Sequence, residues 1–164
     1  MRLLSLALAV MALPVAAALP QYNLYLTDLS KDLSVSNSIK INDTPTYINQ
    51  PAFSRDGKSL FFTLEQGKDA AMQTDIGLYS IAEKKQQLLS KTALSEYSPT
   101  LLPDGSGVSV VVVEADQTQR LWTLDWQGNA SLLKADPKGV GYHAWGAHQD
   151  LLLFILGDKE DNHT

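Results

Sequence analysis

Three features of the sequence predict an all-β fold, a β-propeller of four-stranded antiparallel blades. An Asp-Gly dipeptide occurs twice within the same pattern of apolar residues, which we call a frame. A third copy of that frame follows, and apolar segments typical of strands lie between the copies. The first frame, from Gln50 to Phe62, aligns without a gap with the second, from Ser98 to Val110, 48 residues later. This spacing is close to the repeat of about 40–45 residues found in other propellers.

Each frame is predicted to form two antiparallel strands, because Asp-Gly tolerates the positive φ of a tight hairpin turn. Gly77 to Ile81 and then Gln86 to Leu89 supply the third and fourth strands of one unit. Arg120 to Asp125 and Ala130 to Leu133 do the same in the next unit. The run Val110 to Val113 has no polar alternation, which predicts a strand buried on both faces between stacked sheets.

The ends of the chain are predicted to form incomplete blades. Asn23 to Asp28 resembles the third strand of a blade, so the mature chain opens halfway through one. The third frame, from Tyr142 to Phe154, keeps the apolar positions without Asp-Gly, and Leu152 to Leu156 closes as a second strand. We therefore predict two whole blades and two half-blades in a single domain, residues 19–164. A two-sheet sandwich would explain the number of strands but not hairpins that recur in phase.

The segment from Pro51 to Lys58 resembles the TolB-like repeat, a WD-type propeller repeat of the pattern Pro-x-Phe-Ser-Pro-Asp-Gly-Lys. Arg55 stands where that pattern has its second proline, and Pro99 to Gly105 keeps the Pro-Asp-Gly core. The resemblance spans about residues 22 to 156 and implies a propeller that is cut short. It implies little about function, because proteins with this repeat include periplasmic binding proteins, propellers of some peptidases and a few lyases.

Residues 1–18 have the pattern of a secretory signal peptide. Arg2 precedes an apolar run from Leu3 to Leu13, and small residues lead to a cleavage site after Ala18. The run is about eleven residues long, which is short of the roughly 20 that a spanning helix requires. We expect export to the periplasm, with secretion as the alternative, and no membrane insertion after cleavage.

Composition limits the chemistry that this chain can perform. The net charge of −5 argues against a nucleic-acid partner, and removal of Arg2 with the signal peptide makes the mature chain more acidic. The absence of cysteine excludes disulfides, thiolate metal sites and a cysteine nucleophile.

No catalytic or metal-binding constellation is apparent in the sequence. The α/β-hydrolase elbow Gly-x-Ser-x-Gly is absent, and Gly105-Ser106-Gly107 occupies a turn of the repeat. His143 and His148 lie five residues apart, and Asp150 could join them at a metal ion. We expect instead that they replace the proline and aspartate of the other copies. The sequence therefore predicts no catalytic residue, no metal and no cofactor.

Several aromatic residues are predicted to pack in the interior of the fold. Tyr25, Tyr79 and Trp122 are interpreted as equivalent third-strand residues that pack between blades. Trp145 aligns with Phe53 and Leu101, which predicts a core position.

The predicted partner surface includes the loops Glu65 to Asp75 and Glu114 to Thr118, which connect second to third strands at one rim. Trp126 and Tyr142 lie close to loops and could also face a partner. The candidate partner-binding residues are Glu65, Lys68, Asp69, Glu114, Asp116, Trp126 and Tyr142.

The function that this sequence favours is an exported, non-catalytic propeller that acts as a binding platform for a protein or cell-envelope partner. The alternative is the propeller portion of an exported peptidase or polysaccharide lyase, and a third hypothesis is a decayed fragment without function. Self-association is also expected, because incomplete blades expose unpaired strand edges.

Overall fold

The computed structural model describes residues 19–67, 71–90 and 92–157. The predicted signal peptide, residues 1–18, lies outside the described residues. The strands are β1 (Tyr25–Leu29), β2 (Val35–Lys40), β3 (Ile48–Phe53), β4 (Ser59–Gln66), β5 (Gln73–Ser80), β6 (Lys85–Leu88), β7 (Ser95–Leu101), β8 (Gly107–Val113), β9 (Gln119–Asp125), β10 (Ala130–Leu132), β11 (Val140–Trp145) and β12 (Leu151–Ile155). In the described ranges there is no helix with the length and apolar character needed to cross a membrane.

The strands form four antiparallel sheets in chain order. Strands β3 to β6 make one four-stranded blade and β7 to β10 make the next, each as a simple meander. The pairs β1–β2 and β11–β12 are two-stranded sheets at the two ends. The prediction of two whole blades and two half-blades is confirmed.

The Asp-Gly turns adopt the predicted conformation. Gly57 and Gly105 have φ values of 67° and 75°, which glycine adopts without steric cost. Asp56 accepts hydrogen bonds from the Ser54 hydroxyl at 2.7 Å and from the Lys58 N–H at 3.1 Å. The carboxylate therefore fixes the turn between the first and second strands of the blade.

Backbone hydrogen bonds mark one shared position in three consecutive blades. Ile41 donates to Leu24, Leu89 donates to Ile76, and Leu133 donates to Leu121. These bonds show that Leu24, immediately before β1, is the structural counterpart of Ile76 in β5 and of Leu121 in β9.

One predicted equivalence of third-strand aromatics is wrong. Tyr79 pairs with Leu60, whereas Trp122 pairs with Val110, two residues further along the second strand. The counterpart of Tyr79 is thus Leu124, and Trp122 corresponds to Gly77. Gly77 lies under the Phe62 ring, and a Cβ atom there would be 2.2 Å from Phe62 Cε2. The sequence prediction aligned aromatic residues with one another and therefore missed that Gly77 occupies the position of Trp122.

Two apolar clusters lie between neighbouring sheets. The first packs Leu24, Leu26 and Ile41 of the β1–β2 hairpin and its exit against β4 and Tyr79. The second packs Phe61 and Ile76 against the valines of β8. Val110, Val111 and Val112 are at most 2% exposed, which confirms that β8 is buried on both faces.

The predicted burial of other aromatic positions is partly wrong. Tyr79 is buried and Trp122 packs against the second cluster, but Tyr25 is 57% exposed. Tyr25 lies on the first sheet, where no described residue covers its outer face. Trp145 is only half-buried and its counterpart Phe53 is 57% exposed, so this position of the repeat is not a core position.

Candidate binding surfaces

An apolar groove lies between the two whole blades, at the rim that carries the Asp-Gly turns. Its volume is about 690 Å³, which is in the range of small-ligand and peptide-side-chain sites. The groove is lined by Ser54, Arg55, Asp56, Ser59, Phe61, Leu78, Leu101, Asp104, Gly105 and Trp126.

Trp126 forms one wall of this groove and is held in place from two sides. Its ring stacks on Phe61 with a centroid distance of 5.6 Å and an interplanar angle of 28°. Its indole N–H donates to the carbonyl oxygen of Gly105 at 3.0 Å. Trp126 is nevertheless 41% exposed, so a fixed apolar surface faces the solvent.

The turn that presents Trp126 is fixed by the preceding aspartate. Asp125 Oδ1 accepts hydrogen bonds from the N–H of Gln127 at 2.9 Å and of Asn129 at 2.8 Å. Bonds from Asn129 lower the pKa of Asp125, so the carboxylate is ionised at neutral pH. The short β9–β10 connection therefore holds the Trp126 indole in a fixed position.

Charged groups surround the mouth of the groove. Arg55 Nη2 donates to the carbonyl oxygen of Pro103 at 2.6 Å and so ties the turn of one blade to the turn of the next. Hydrogen bonds from Ser54 lower the pKa of Asp56, and hydrogen bonds from Ser106 lower the pKa of Asp104. An apolar floor with ionised groups at its edge suits a peptide segment that inserts an apolar side chain.

Three of the predicted acidic residues lie at the opposite rim. Because a hairpin turn and the next connection fall at opposite ends of a strand, Glu65, Glu114 and Asp116 are remote from Trp126. The loop predicted as Glu65 to Asp75 is shorter than expected, since β4 extends to Gln66 and β5 begins at Gln73. Lys68 and Asp69 lie outside the described residues.

Glu114 and Asp116 form internal contacts. Arg120 Nε donates to Glu114 Oε1 at 2.8 Å, Arg120 Nη2 bonds the other oxygen, and Trp122 Nε1 donates to Oε1 at 3.0 Å. The bond from Arg120 lowers the pKa of Glu114. Asp116 accepts a hydrogen bond from the Thr118 N–H at 2.9 Å, which stabilises the β8–β9 turn. The loop Glu114 to Thr118 lies between strands as predicted.

Tyr142 belongs to a third location, a group of tyrosines along the first strands. It is 57% exposed, and its ring lies 6.2 Å from that of Phe154. It shares a groove of about 260 Å³ with Tyr47, Tyr97 and Gln50. The sequence analysis missed Tyr47 and Tyr97, although a tyrosine just before or within the first strand of three successive units was visible as a pattern. The five predicted residues that the structure describes thus lie at three separate locations.

A buried pair of carboxylates between the whole blades was also missed. Asp75 is 3% exposed and Glu96 is 1% exposed. Ser90 Oγ lies 2.9 Å from Glu96 Oε2 and 3.4 Å from Asp75 Oδ1, and the Thr92 hydroxyl bonds the other Glu96 oxygen. Burial raises the pKa of Asp75 and raises the pKa of Glu96 to about 7. Glu96 occupies the repeat position of Ile48 and Val140. A carboxylate at a position that is apolar in the other copies could have indicated this buried pair from the sequence.

His143 is part of a contact between sheets. Its Nε2 lies 2.6 Å from Ser109 Oγ, which also accepts a hydrogen bond from Trp145 Nε1 at 2.9 Å. Burial lowers the pKa of His143 to about 4. Across the described residues, no group of three or more His, Asp or Glu side chains converges in a metal-binding arrangement.

No protein-family model and no curated protein matches the chain. Among solved structures, TolB from Acinetobacter baumannii is 18% identical, with a TM-score of 0.55 over 79% of this chain and 31% of that chain. A protein assigned as TolB from Agrobacterium tumefaciens is 15% identical, with a TM-score of 0.57 over 85% of this chain and 59% of that chain.

The fold is that of a TolB-like β-propeller. The likeness confirms the fold implied by the repeat from Pro51 to Lys58. The chain spans less than two thirds of each of these TolB structures.

Proposed function

We propose that this TolB-like chain is an exported, non-catalytic binding platform, and that the groove at Trp126 receives a segment of a protein of the cell envelope. The observation that carries the proposal is the exposed but immobilised Trp126 ring above an apolar floor. Tryptophan is among the residues that contribute most to protein–protein binding when it lies in a well-packed site.

The construction of the groove supports a recognition role. Trp126 is fixed by Phe61 and Gly105, and the Arg55–Pro103 bond links the two blades beside it. A preorganised surface binds with a smaller entropic penalty than a mobile one. The carboxylates of Asp56 and Asp104 each hold their own turn, which favours a structural role for them over acid–base catalysis.

The proposed occupant is an extended peptide segment with one large apolar side chain. The floor formed by Phe61, Leu78 and Leu101 would cover that side chain, and the face of the Trp126 indole would stack on it. The ionised groups at the mouth would select the polar residues on either side of it.

A peptide-display selection on residues 19–164 tests this proposal. We expect enriched peptides to share an apolar anchor and to bind at least tenfold more weakly to Trp126→Ala. Trp126→Phe should retain part of the affinity because a ring remains over Phe61, and Gln86→Ala on exposed β6 should bind like the wild type. Failure to enrich any peptide, or affinity that Trp126→Ala does not change, would overturn the proposal.

The periplasmic location rests on residues 1–18. If the signal peptide is cleaved after Ala18, the exported protein begins at Leu19. Osmotic-shock fractionation followed by mass measurement of the released protein tests both points, and a cytoplasmic protein that retains Met1 would contradict them.

A further inference from the structure

The groove at Trp126 is formed by the two whole blades alone. Its lining residues come from β4 and β5 of one blade, from β7 of the next blade, and from the turns that follow β3, β7 and β9. All four strands of each of these blades are described. The shape of the groove therefore does not depend on the hairpins at either end of the chain.

A second depression continues the groove across the outer part of the first whole blade. It has a volume of about 160 Å³, shares Ser59 and Leu78 with the groove, and reaches Glu83 and Lys85. Neighbouring strands are about 4.8 Å apart and an extended chain advances about 3.3 Å per residue, so the path from β4 to β6 accommodates roughly three residues. A short extended segment can thus place an apolar side chain at Leu78 and a neighbouring residue at the Asp-Gly turns.

Two aspartates line the groove at the Asp-Gly turns, one from each blade. Asp56 and Asp104 are exposed, and each uses Oδ1 for the hydrogen bonds of its own turn. These bonds lower the pKa of both carboxyl groups, so both are ionised at neutral pH. Each carboxylate retains Oδ2 as an acceptor that its own turn does not use.

The nearest cations leave most of this negative charge available. Lys58 Nζ lies 3.9 Å from Asp56 Oδ2, and its side chain is 81% exposed, so this surface pair is weak. Arg55 donates from Nη2 to the carbonyl oxygen of Pro103, and among the described residues no cationic nitrogen lies within 4.0 Å of the Asp104 carboxylate. The lining of the groove contains two carboxylates and one guanidinium, and its net charge is therefore negative.

The Trp126 ring also favours a cation. The face of an aromatic ring attracts cations, and tryptophan does so most strongly. Stacking on Phe61 holds this ring in place while 41% of Trp126 stays exposed. The chain as a whole has a net charge of −5, which attracts a basic partner over a longer range. The lining, the ring and the whole chain therefore all favour a positively charged residue.

We propose that the segment received by the groove carries a lysine or arginine next to its apolar anchor, and that Asp56 and Asp104 bind this cation beside the Trp126 ring. The inference rests on the proposed function, because it specifies the chemistry of the same partner segment. The apolar anchor covers Phe61 and Leu78. The aliphatic part of the basic side chain lies along the indole, and its charged end reaches the carboxylates.

Asparagine substitutions remove the charges and keep the turns. Asp56→Asn and Asp104→Asn retain the side-chain oxygen that accepts the turn hydrogen bonds, and asparagine is favoured in such turns. Asp116 provides a matched control at the opposite rim. It is an exposed aspartate that accepts a hydrogen bond from the Thr118 N–H at 2.9 Å. Asp116→Asn therefore removes the same charge from the same kind of turn without changing the groove.

Three peptides with blocked ends test the inference: Ser-Lys-Phe-Lys-Ser, Ser-Gln-Phe-Gln-Ser and Ser-Glu-Phe-Glu-Ser. They share one apolar anchor, and NMR titration of the purified protein measures their dissociation constants into the millimolar range. We expect the lysine peptide to bind at least about fivefold more tightly than the glutamine peptide at about 50 mM salt, and the glutamate peptide to bind most weakly. The advantage of lysine should decrease as the salt concentration rises to about 500 mM, because ions screen exposed charges.

The asparagine variants test whether the two aspartates cause this preference. Asp56→Asn and Asp104→Asn should each reduce the advantage of lysine by at least about twofold, whereas Asp116→Asn should leave it at the wild-type value. Equal affinities of the lysine and glutamine peptides would overturn the inference. So would an advantage of lysine that Asp116→Asn reduces as much as the two groove variants do.

The glutamine peptide separates this inference from the proposed function. If Trp126→Ala weakens its binding but lysine gives no advantage, the basic residue is overturned and the apolar anchor stands. If none of the three peptides binds, or if Trp126→Ala changes none of their affinities, both the inference and the proposed use of the groove are contradicted.

Discussion

Gln50 and Ser98 occupy the same bulge in consecutive blades, and a hydrogen bond joins them. Their φ values are 54° and 55°, and Gln50 Oε1 accepts from the Ser98 N–H at 2.9 Å. The Thr63 hydroxyl donates to the same oxygen at 2.7 Å. One amide oxygen thus satisfies a backbone donor of the next blade and a hydroxyl of its own blade.

Gln50→Ala should lower the free energy of unfolding by about 1–3 kcal/mol, because it leaves the buried Ser98 N–H without its main acceptor. Urea titration followed by circular dichroism measures the change. Gln86→Ala, at an exposed position of β6, is the matched control and should change stability by less than about 0.5 kcal/mol. Equal effects of the two substitutions would contradict a role for Gln50 in joining the blades.

Glu96 should make the folded state less stable as the pH rises from about 4.5 to about 7. Its folded pKa is raised to about 7, so the protein favours the neutral acid, and this contribution is lost as the group ionises. Glu96→Gln keeps a polar group beside Ser90 and Thr92 but does not titrate. We expect the wild type to lose on the order of 2 kcal/mol relative to Glu96→Gln across this range. Parallel pH profiles of the two proteins would contradict the prediction.

His143 should have the opposite pH dependence. Burial lowers its folded pKa to about 4, so its contribution is present above about 6.5 and is lost as the pH falls toward 4. Relative to His143→Asn, the wild type should lose on the order of 2 kcal/mol across that interval. His148→Asn, in an exposed turn, is the matched control substitution, and thermal unfolding at closely spaced pH values compares all three proteins.

Gly77→Ala should lower the free energy of unfolding by about 1–3 kcal/mol, since the added methyl group would overlap the Phe62 ring. Phe62→Leu should relieve that overlap although it is destabilising by itself. A double-mutant cycle is therefore expected to show a coupling energy above about 0.5 kcal/mol. Additive effects would contradict the close contact.

The number of blades could be predicted from the sequence because the turn between the first and second strands recurs in each whole blade. Asp56 and Gly57 are required by the geometry of a hairpin, and the same pair returns as Asp104 and Gly105. The third turn loses Asp-Gly and is one residue shorter, closing from the Gly146 N–H to the Asp150 carbonyl oxygen. Its apolar frame was still enough to place β11 and β12.

The lengths of β4 and β5 and the contacts between blades were harder to predict from the sequence. The polar residues Gln66 and Gln73 pair across a hairpin, so they extend β4 and β5 where a loop was expected. The carboxylates of Asp75 and Glu96 meet only because two blades stack. Trp126 was selected for its position close to a loop, whereas its fixed orientation depends on Phe61 of the other blade. Such contacts join residues that the repeat does not align.

The most direct test of the binding-platform proposal is photo-crosslinking in the exporting cell. Benzoylphenylalanine would replace exposed Arg55 at the mouth of the groove or, as control, exposed Ser131 on β10. We predict a discrete protein adduct from position 55 that is absent from position 131 and is lost when Trp126→Ala is added. The same adducts from both positions, or none from position 55, would contradict the proposal that this groove binds a partner.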